Sequence, residues 1–279
     1  MARQSTSKLR VAIIGAGGIA GAHLQEYAQI ADVELVGLAD PKPESMARWR
    51  EQYKIPAEAC FSDYRELLRK IRPDAVSVCS PNGAHHPNTV AALKAGAHVL
   101  VEKPMAMNAR EAADMIRVAK ACQRKLVIGF QQRFDPRTAY LREAVAGGEF
   151  GEILYGRVQA LRRRGIPNWG VFGRKELQGG GPLIDIGVHV LEMCHYVMGS
   201  LRPVAAVGQC FTYLGNKPSR VRSMWPNWDY KTYTVEDLGV GMIRFENGAM
   251  LNLEASFAAH IDKDVWNFSL MGTRAGGVW

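Results

Sequence analysis

Three groups of residues in this 279-residue chain have the types and spacing that chemistry requires. The first is Lys103, which ends the run Val99-Leu100-Val101-Glu102-Lys103-Pro104. An apolar, β-branched run entered through Ala95-Gly96 predicts a buried parallel strand, and its carboxyl end opens onto the crevice where α/β sheets hold ligands. A lysine there can stabilise a developing alkoxide, although most lysines are solvated charges or partners of a carboxylate such as Glu102. The second group is Asp185 and His189, four residues apart in an otherwise apolar helical segment, a spacing that suits a histidine general base oriented by a carboxylate. The third is Gly15-Ala16-Gly17-Gly18-Ile19-Ala20, a Gly-x-Gly-x-x-Gly/Ala fingerprint. In it Gly15 permits a tight turn, Gly17 lets backbone approach a pyrophosphate and Ala20 allows close helix packing, while the helix N-terminus offers amides and a positive dipole end.

The elements that must position these groups follow from the pattern. Leu9 to Ile14 predicts a strand before the glycines and a helix runs on to Ile30. A second strand, Val33 to Ala39, ends in Asp40, 25 residues after Gly15. A carboxylate there accepts bonds from ribose hydroxyls and repels a 2′-phosphate, which favours NAD, though Lys42 weakens the preference and leaves NADP open. The alternative for Asp40 is a turn residue before Pro41. Further helices are expected over Glu44 to Tyr53, from Asp63, over Pro87 to Lys94 and from Asn108, with strands at Cys60-Phe61, Ala75 to Cys79 and Leu126 to Gly129. Regular alternation of strand and helix predicts a doubly wound parallel sheet, a Rossmann dinucleotide domain over residues 1–130. The loop Ser80-Pro81-Asn82-Gly83-Ala84-His85 falls on the same rim as Lys103. There Asn82 either hydrogen-bonds a cofactor or belongs to a Pro-Asn-Gly turn, and His85 lines the cleft or caps the next helix.

From Ile153 the pattern changes to long strands, Ile153 to Arg162, Val204 to Thr212, Leu238 to Phe245, Met250 to Ala258 and Val265 to Met271. They predict an α+β domain over residues 131–279 with a large, open, mainly antiparallel sheet. Asn247-Gly248 predicts a type I′ hairpin turn. The one long helix, Leu183 to Met198, follows Gly179-Gly180-Gly181-Pro182 and stops at Gly199. Asp185, His189, Glu192 and Tyr196 form a polar stripe on it, which calls for a partner or a cleft because buried polar groups must be hydrogen-bonded. Arg162-Arg163-Arg164, Trp169, Trp225, Trp228 and Tyr230 stand in loops, where they suit a carbohydrate substrate or, alternatively, a lid or subunit contact.

Hydrophobic residues make up 47% and charged residues 22% of the chain, an ordinary globular composition with no apolar run long enough to span a membrane. Met1 to Arg10 is polar and basic, and Val11 to Ile14 is too short for the core of a signal peptide, so the chain is read as cytoplasmic. The five cysteines are scattered without a Cys-x-x-Cys, which predicts reduced thiols and no metal site. The net charge of +8 is spread along the chain and points to anionic small molecules rather than nucleic acid.

The fingerprint, Ser80-Pro81-Asn82 with His85, Glu102-Lys103-Pro104, Gly129-Phe130-Gln131-Gln132-Arg133-Phe134, and Gly179-Gly180-Gly181 with Asp185 and His189 together resemble the Gfo/Idh/MocA family of sugar and cyclitol oxidoreductases. The resemblance implies Lys103, Asp185 and His189 as the catalytic set and hydride transfer between a nicotinamide and a ring hydroxyl of a sugar, glycoside or cyclitol. It also implies Gly15, Gly17, Gly18, Ile19, Asp40, Ser80, Asn82, His85, Glu102, Lys103 and Arg133 around the cofactor, Arg133 beside the nicotinamide. The open second sheet is implied to join subunits into a homo-oligomer, a dimer or tetramer. Family members continue beyond Met271-Gly272-Thr273, so this chain, ending at Trp279, is expected to be a shortened or partial form. Two other activities share the fold: redox-neutral cleavage of a glycosidic bond using bound NAD, and non-catalytic sensing of a dinucleotide or sugar.

Overall fold

The computed structural model describes residues 8–219 and 222–279; most of the basic amino-terminal stretch lies outside them. The chain divides into two compact units, Met1–Gly129 and Phe130–Trp279.

The first unit is a six-stranded parallel sheet in the order β3-β2-β1-β4-β5-β6, with β1 (Leu9–Ile14), β2 (Val33–Ala39), β3 (Cys60–Phe61), β4 (Ala75–Val78), β5 (His98–Val101) and β6 (Leu126–Ile128). This is the doubly wound Rossmann order expected from the alternation. Strand β1 is central, so Val11 to Ile14 are buried on both faces and carry no polar residue. Helices α1 (Ala20–Gln29), α2 (Pro43–Gln52), α3 (Tyr64–Ile71), α4 (Asn82–Lys94) and α5 (Ala109–Ala121) return the chain between strands.

Local signals explain most boundaries. The Asp63 carboxylate accepts from the Arg65 amide and starts α3. Asn108 accepts from the Glu111 amide while the Glu111 carboxylate accepts from the Asn108 side-chain amide and the Met107 amide, a reciprocal cap on α5. Helix α4 departs from expectation: it begins at Asn82, not Pro87, with extended Pro81 as its cap residue. Pro87 sits inside it, where its missing N–H removes one bond without ending the helix. Asn82 is therefore a buried first-turn residue rather than part of a Pro-Asn-Gly turn.

The second unit contains α6 (Pro136–Ala146), β7 (Ile153–Leu161), the short α7 (Lys175–Gln178), α8 (Val188–Val197), β8 (Pro203–Phe211), β9 (Leu238–Phe245), β10 (Met250–Ser256), β11 (Val265–Gly272) and β12 (Gly276–Val278). Its sheet runs β12-β11-β7-β10-β9-β8. All pairs are antiparallel except β7 with β10, which run parallel from Tyr155 opposite Met250 to Leu161 opposite Ser256. A hairpin turn fixes the direction of only its own two strands, while the passage through α8 sets β7 relative to β10. The hairpin itself also differs from expectation. The Gly248 amide bonds the Phe245 carbonyl, and only Gly248, with φ +89°, is left-handed. That is a type I turn followed by a glycine bulge, and Asn247 contributes its side-chain oxygen to the Ala249 amide.

One carboxylate that the sequence did not single out organises the β8–β9 connection. Asp237 is fully buried, and its oxygens accept the amides of Tyr213, Leu214 and Gly215 at 2.7–3.2 Å. The core of this unit lies between α8 and the sheet, around Val190, Met193, Val197, Leu251, Phe257 and Phe268.

In the first unit, Gly15 carries the tightest constraint. Its φ is +92°, and a Cβ there would lie 2.5 Å from the Ser80 nitrogen. Gly15→Ala is therefore expected to lower stability by about 2–4 kcal/mol, read from urea denaturation, and to abolish dinucleotide binding, read by titration with NADH.

Candidate active site

The carboxyl ends of β1, β2, β4 and β5 form one rim, and hydrogen bonds tie their loops together. After β1, Gly17, Gly18 and Ile19 are exposed, and a Cβ built on either glycine would meet nothing within 4 Å. The N-cap residue of α1 is Ile19, with no side-chain cap, and the Gly21 and Ala22 amides bond the Gly18 and Ile19 carbonyls at 3.2 and 3.1 Å. Asp40, at the end of β2, accepts the Ala16 amide through Oδ2 and the Lys42 amide through Oδ1, both at 2.8 Å. Its carboxylate thus sits against the glycine loop through one oxygen and closes a turn over Pro41 through the other. Gly21 leaves room for the Trp49 ring, whose Nε1 donates to the Ala16 carbonyl at 3.0 Å. Open glycine backbone, a helix start without a side-chain cap and an acidic residue at the second strand end fit the pyrophosphate and ribose of NAD.

The Ser80 and Lys103 loops are joined by His85. This ring is buried, with Nδ1 at 2.7 Å from the Pro104 carbonyl oxygen and Nε2 at 2.9 Å from the Ser80 carbonyl oxygen. Only an imidazolium could donate to both, yet burial outweighs the pull of the two carbonyls and of Glu102 and holds its pKa below the usual histidine value. Ser80 is further fixed by Asn88, whose side-chain amide donates to its hydroxyl at 3.0 Å. His85 is thus a buried link between the Ser80 and Pro104 main chains.

Strand β5 ends at Val101, so Glu102 and Lys103 lie in the loop beyond it. Glu102 accepts the Lys103 amide through Oε2 at 3.1 Å and pairs through Oε1 with His23 Nε2 at 2.8 Å. His23 Nδ1 meets the Ser77 hydroxyl at 3.1 Å, which in turn meets the Tyr27 hydroxyl at 2.7 Å. Burial would raise the Glu102 pKa, but the His23 hydrogen bond and charge, with Lys103, bring it below the usual carboxylate value. Lys103 is half-buried, its main chain held on one side by Glu102 and on the other by His85 through Pro104. His23, Ser77 and Tyr27 were missed in the sequence. The i, i+4 pair His23 and Tyr27 on α1 was the available signal, and nothing local tied it to Glu102.

In the second unit, Asp185 is 5% exposed and lies in a π-helical turn, Leu183–Gly187, that leads into α8. The expected uninterrupted α-helix is thus widened at the turn that carries the aspartate, a distortion frequent at functional sites. Glu236 anchors the turn: its carboxylate accepts the Gly181 amide at 2.9 Å and the Leu183 amide at 3.2 Å. Gly187 lets the helix press onto β10, since a Cβ there would lie 2.9 Å from the Ala255 Cβ. His189 is half-buried, its ring 5.8 Å from that of Trp266. The lower half of the polar stripe belongs to Arg133, which pairs with Glu192 and lies 4.6 Å over the Tyr196 ring. Val188 and Leu191 are half-buried, so α8 is not enclosed on every side. Arg162, at the end of β7, is largely buried; burial pushes its pKa down while Asp185 and Asp264 push it up. Among the described residues no cluster of histidine, cysteine or acidic side chains could hold a metal ion, and no helix is long and apolar enough to cross a membrane.

An open glycine loop after β1 and the Lys103 loop beyond β5, on one rim of a parallel sheet, fit a nicotinamide-dependent oxidoreductase as the class of protein. The family model for the Gfo/Idh/MocA NAD-binding Rossmann fold matches residues 9–130 and the model for the Gfo/Idh/MocA C-terminal domain matches residues 138–276, so the chain belongs to the Gfo/Idh/MocA oxidoreductase family. It is 42% identical over 274 residues to D-glucoside 3-dehydrogenase of Escherichia coli, covering 98% of this chain and 77% of that protein. Levoglucosan dehydrogenase of Pseudarthrobacter phenanthrenivorans is 28% identical over 97% of this chain and 73% of its own length. Among solved structures, aldose-aldose oxidoreductase of Caulobacter crescentus superposes with a TM-score of 0.80 at 27% identity, covering 96% of this chain and 76% of that one.

Because the pKa of His85 lies below its value in an unfolded chain, the unfolded chain takes up that proton more readily as pH falls. The contribution of His85 to stability is thus full above the ordinary histidine range and is lost as pH falls through the lowered value. Urea midpoints measured from pH 8 to pH 5 are expected to decline in the wild type and to decline less steeply in His85→Gln.

Proposed function

We propose that this protein oxidises, reversibly, a ring hydroxyl of a sugar glycoside with NAD. The observation that carries the reading is the locked Lys103 loop on the same rim as the glycine cradle, within one hydrogen-bonded frame. The two dehydrogenases named above, one acting on D-glucosides and one on levoglucosan, support a pyranoside substrate. NAD supplies the acceptor for the hydrogen lost from carbon.

In this reading His189 Nε2 or Nδ1 takes the hydroxyl proton, work that suits a group with an unperturbed pKa of about 6.5. Asp185 orients the imidazole from the π-helical turn, and its burial keeps water from competing for that role. The Lys103 ammonium hydrogen-bonds the same substrate oxygen and stabilises the charge that develops on it. Asp40 selects NAD over NADP, since its carboxylate repels a 2′-phosphate. Ser80 and Asn82 present the second wall of the cofactor site, Glu102 and His85 hold the lysine loop, and Arg133 borders the nicotinamide.

The assembly and compartment belong to the same proposal. Every residue of β8 is exposed although the strand is paired with β9, and Val207 on it is 75% exposed. An apolar, solvent-facing edge strand is an association surface unless it is covered, which supports a homo-oligomer formed through this sheet. All five cysteines are free, in keeping with a reducing cytoplasm.

Reduced-nicotinamide absorbance, with NAD and separately NADP offered against glucosides and inositols, tests the reaction. Lys103→Ala and His189→Ala are each expected to lower kcat by about two to four orders of magnitude. Bound NAD with no product from any sugar would defeat the dehydrogenase reading, and sugar turnover without NADH accumulation would replace it with the redox-neutral one. Val207→Glu is expected to shift the species seen by sedimentation velocity toward the monomer.

A further inference from the structure

Two loops of the second unit, distant in sequence, are fastened into one aromatic platform. Residues 162–169 follow β7, and residues 223–228 lie in the β8–β9 connection. The Met224 amide bonds the Arg164 carbonyl at 3.0 Å, and the Asn168 side-chain amide bonds the Pro226 carbonyl at 2.8 Å. The Trp228 Nε1 bonds the Gly215 carbonyl at 2.9 Å, next to the amides that Asp237 gathers. Within this frame Arg162 lies 5.0 Å over the Trp225 ring and 5.3 Å over the Phe257 ring, and its Nη1 donates to the Gly165 carbonyl at 3.1 Å. Trp169 meets Trp225 at a centroid distance of 4.6 Å and an angle of 83°, and its other neighbour Phe172 at 5.8 Å and 71°.

Near-perpendicular contacts fix the Trp169 ring by its neighbours without stacking on it. Trp169 is 48% exposed, and Met224, next to Trp225 in the chain, is 60% exposed. A fixed, exposed indole is costly unless its apolar surface meets something, and the apolar C–H face of a pyranose is a match of the right size. Burial disfavours the charge on Arg162, which supports Trp225, while the Asp185 carboxylate of the helix turn favours it.

Resting on the proposed oxidation of a glycoside, we infer that Trp169, backed by Trp225 and Arg162, forms an outer subsite for a second pyranose ring, so that the preferred substrate is disaccharide-sized. Contacts remote from the reacting ring then contribute to kcat as well as to KM, because they orient the ring that reacts.

The test compares kcat/KM for methyl glucoside with that for glucosyl-glucose disaccharides of different linkage, in the wild type, Trp169→Ala and Trp169→Phe. At least one disaccharide is expected to exceed methyl glucoside by about tenfold or more. Trp169→Ala is expected to collapse that ratio toward one, and Trp169→Phe to restore much of it, which a folding defect would not do. An unchanged ratio in Trp169→Ala, or no preferred disaccharide, overturns the inference. A changed oligomeric state with the ratio intact overturns it too and assigns the platform to a contact between copies. If the wild type oxidises no sugar, the reaction has failed and the subsite is still tested by calorimetric titration of the same disaccharides into the NADH-loaded protein. Weaker binding by Trp169→Ala supports the subsite, and equal or absent binding overturns it.

Discussion

The candidate chemistry depends first on how closely two stretches of backbone approach at the end of β1. With no side chain at Gly15, the first turn of the dinucleotide loop lies directly against Cys79 and Ser80, at the end of the neighbouring strand. That contact puts the glycine loop and the Ser80 loop on one rim. The rim is then closed by side chains: Asp40 holds the Ala16 amide, Asn88 and His85 hold Ser80, and His85 reaches across to Pro104. A loop carrying a catalytic candidate would otherwise be the softest part of the sheet. Here it is fixed by groups that also shape the cofactor cradle.

The second unit reaches a comparable rigidity by different means. Its helix begins in a widened turn that has no side-chain cap of its own, and the Glu236 carboxylate meets the first amides from another segment. Negative charge at a helix start is favourable both as a hydrogen-bond acceptor and against the helix dipole. The polar stripe is then divided. Glu192 and Tyr196 serve Arg133, while Asp185 and His189 lie nearer the amino-terminal end.

Much of this was legible in the sequence because short-range chemistry decides it. The glycine fingerprint between a strand and a helix, the cap at Asn108 and the alternation from Leu9 to Ile128 each carry their cause within a few residues. The parallel β7–β10 pair was not, since strand direction there depends on the long connection from Leu161 to Met250. The start of α4 was misplaced because Pro87 was treated as a helix opener when Pro81 fills that place. The His23–Glu102 pair and the Glu236 and Asp237 anchors escaped for a further reason. A lone acidic residue in a sequence reads as surface charge, and only tertiary placement reveals that its oxygens are spent on buried amides.

The Asp237 carboxylate has an evolutionary consequence. By gathering the amides of Tyr213, Leu214 and Gly215 at one point beside the start of β9, it fixes both ends of the intervening segment independently of what lies between them. Once the ends are pinned, lengthening the middle costs little, about 0.6 kcal/mol for each doubling of loop length. The sheet and helix α8 need not register such changes. Insertions and substitutions between Gly215 and Tyr233 can therefore accumulate quickly, and lineages sharing this scaffold can diverge in what they recognise while keeping the frame that supports reaction.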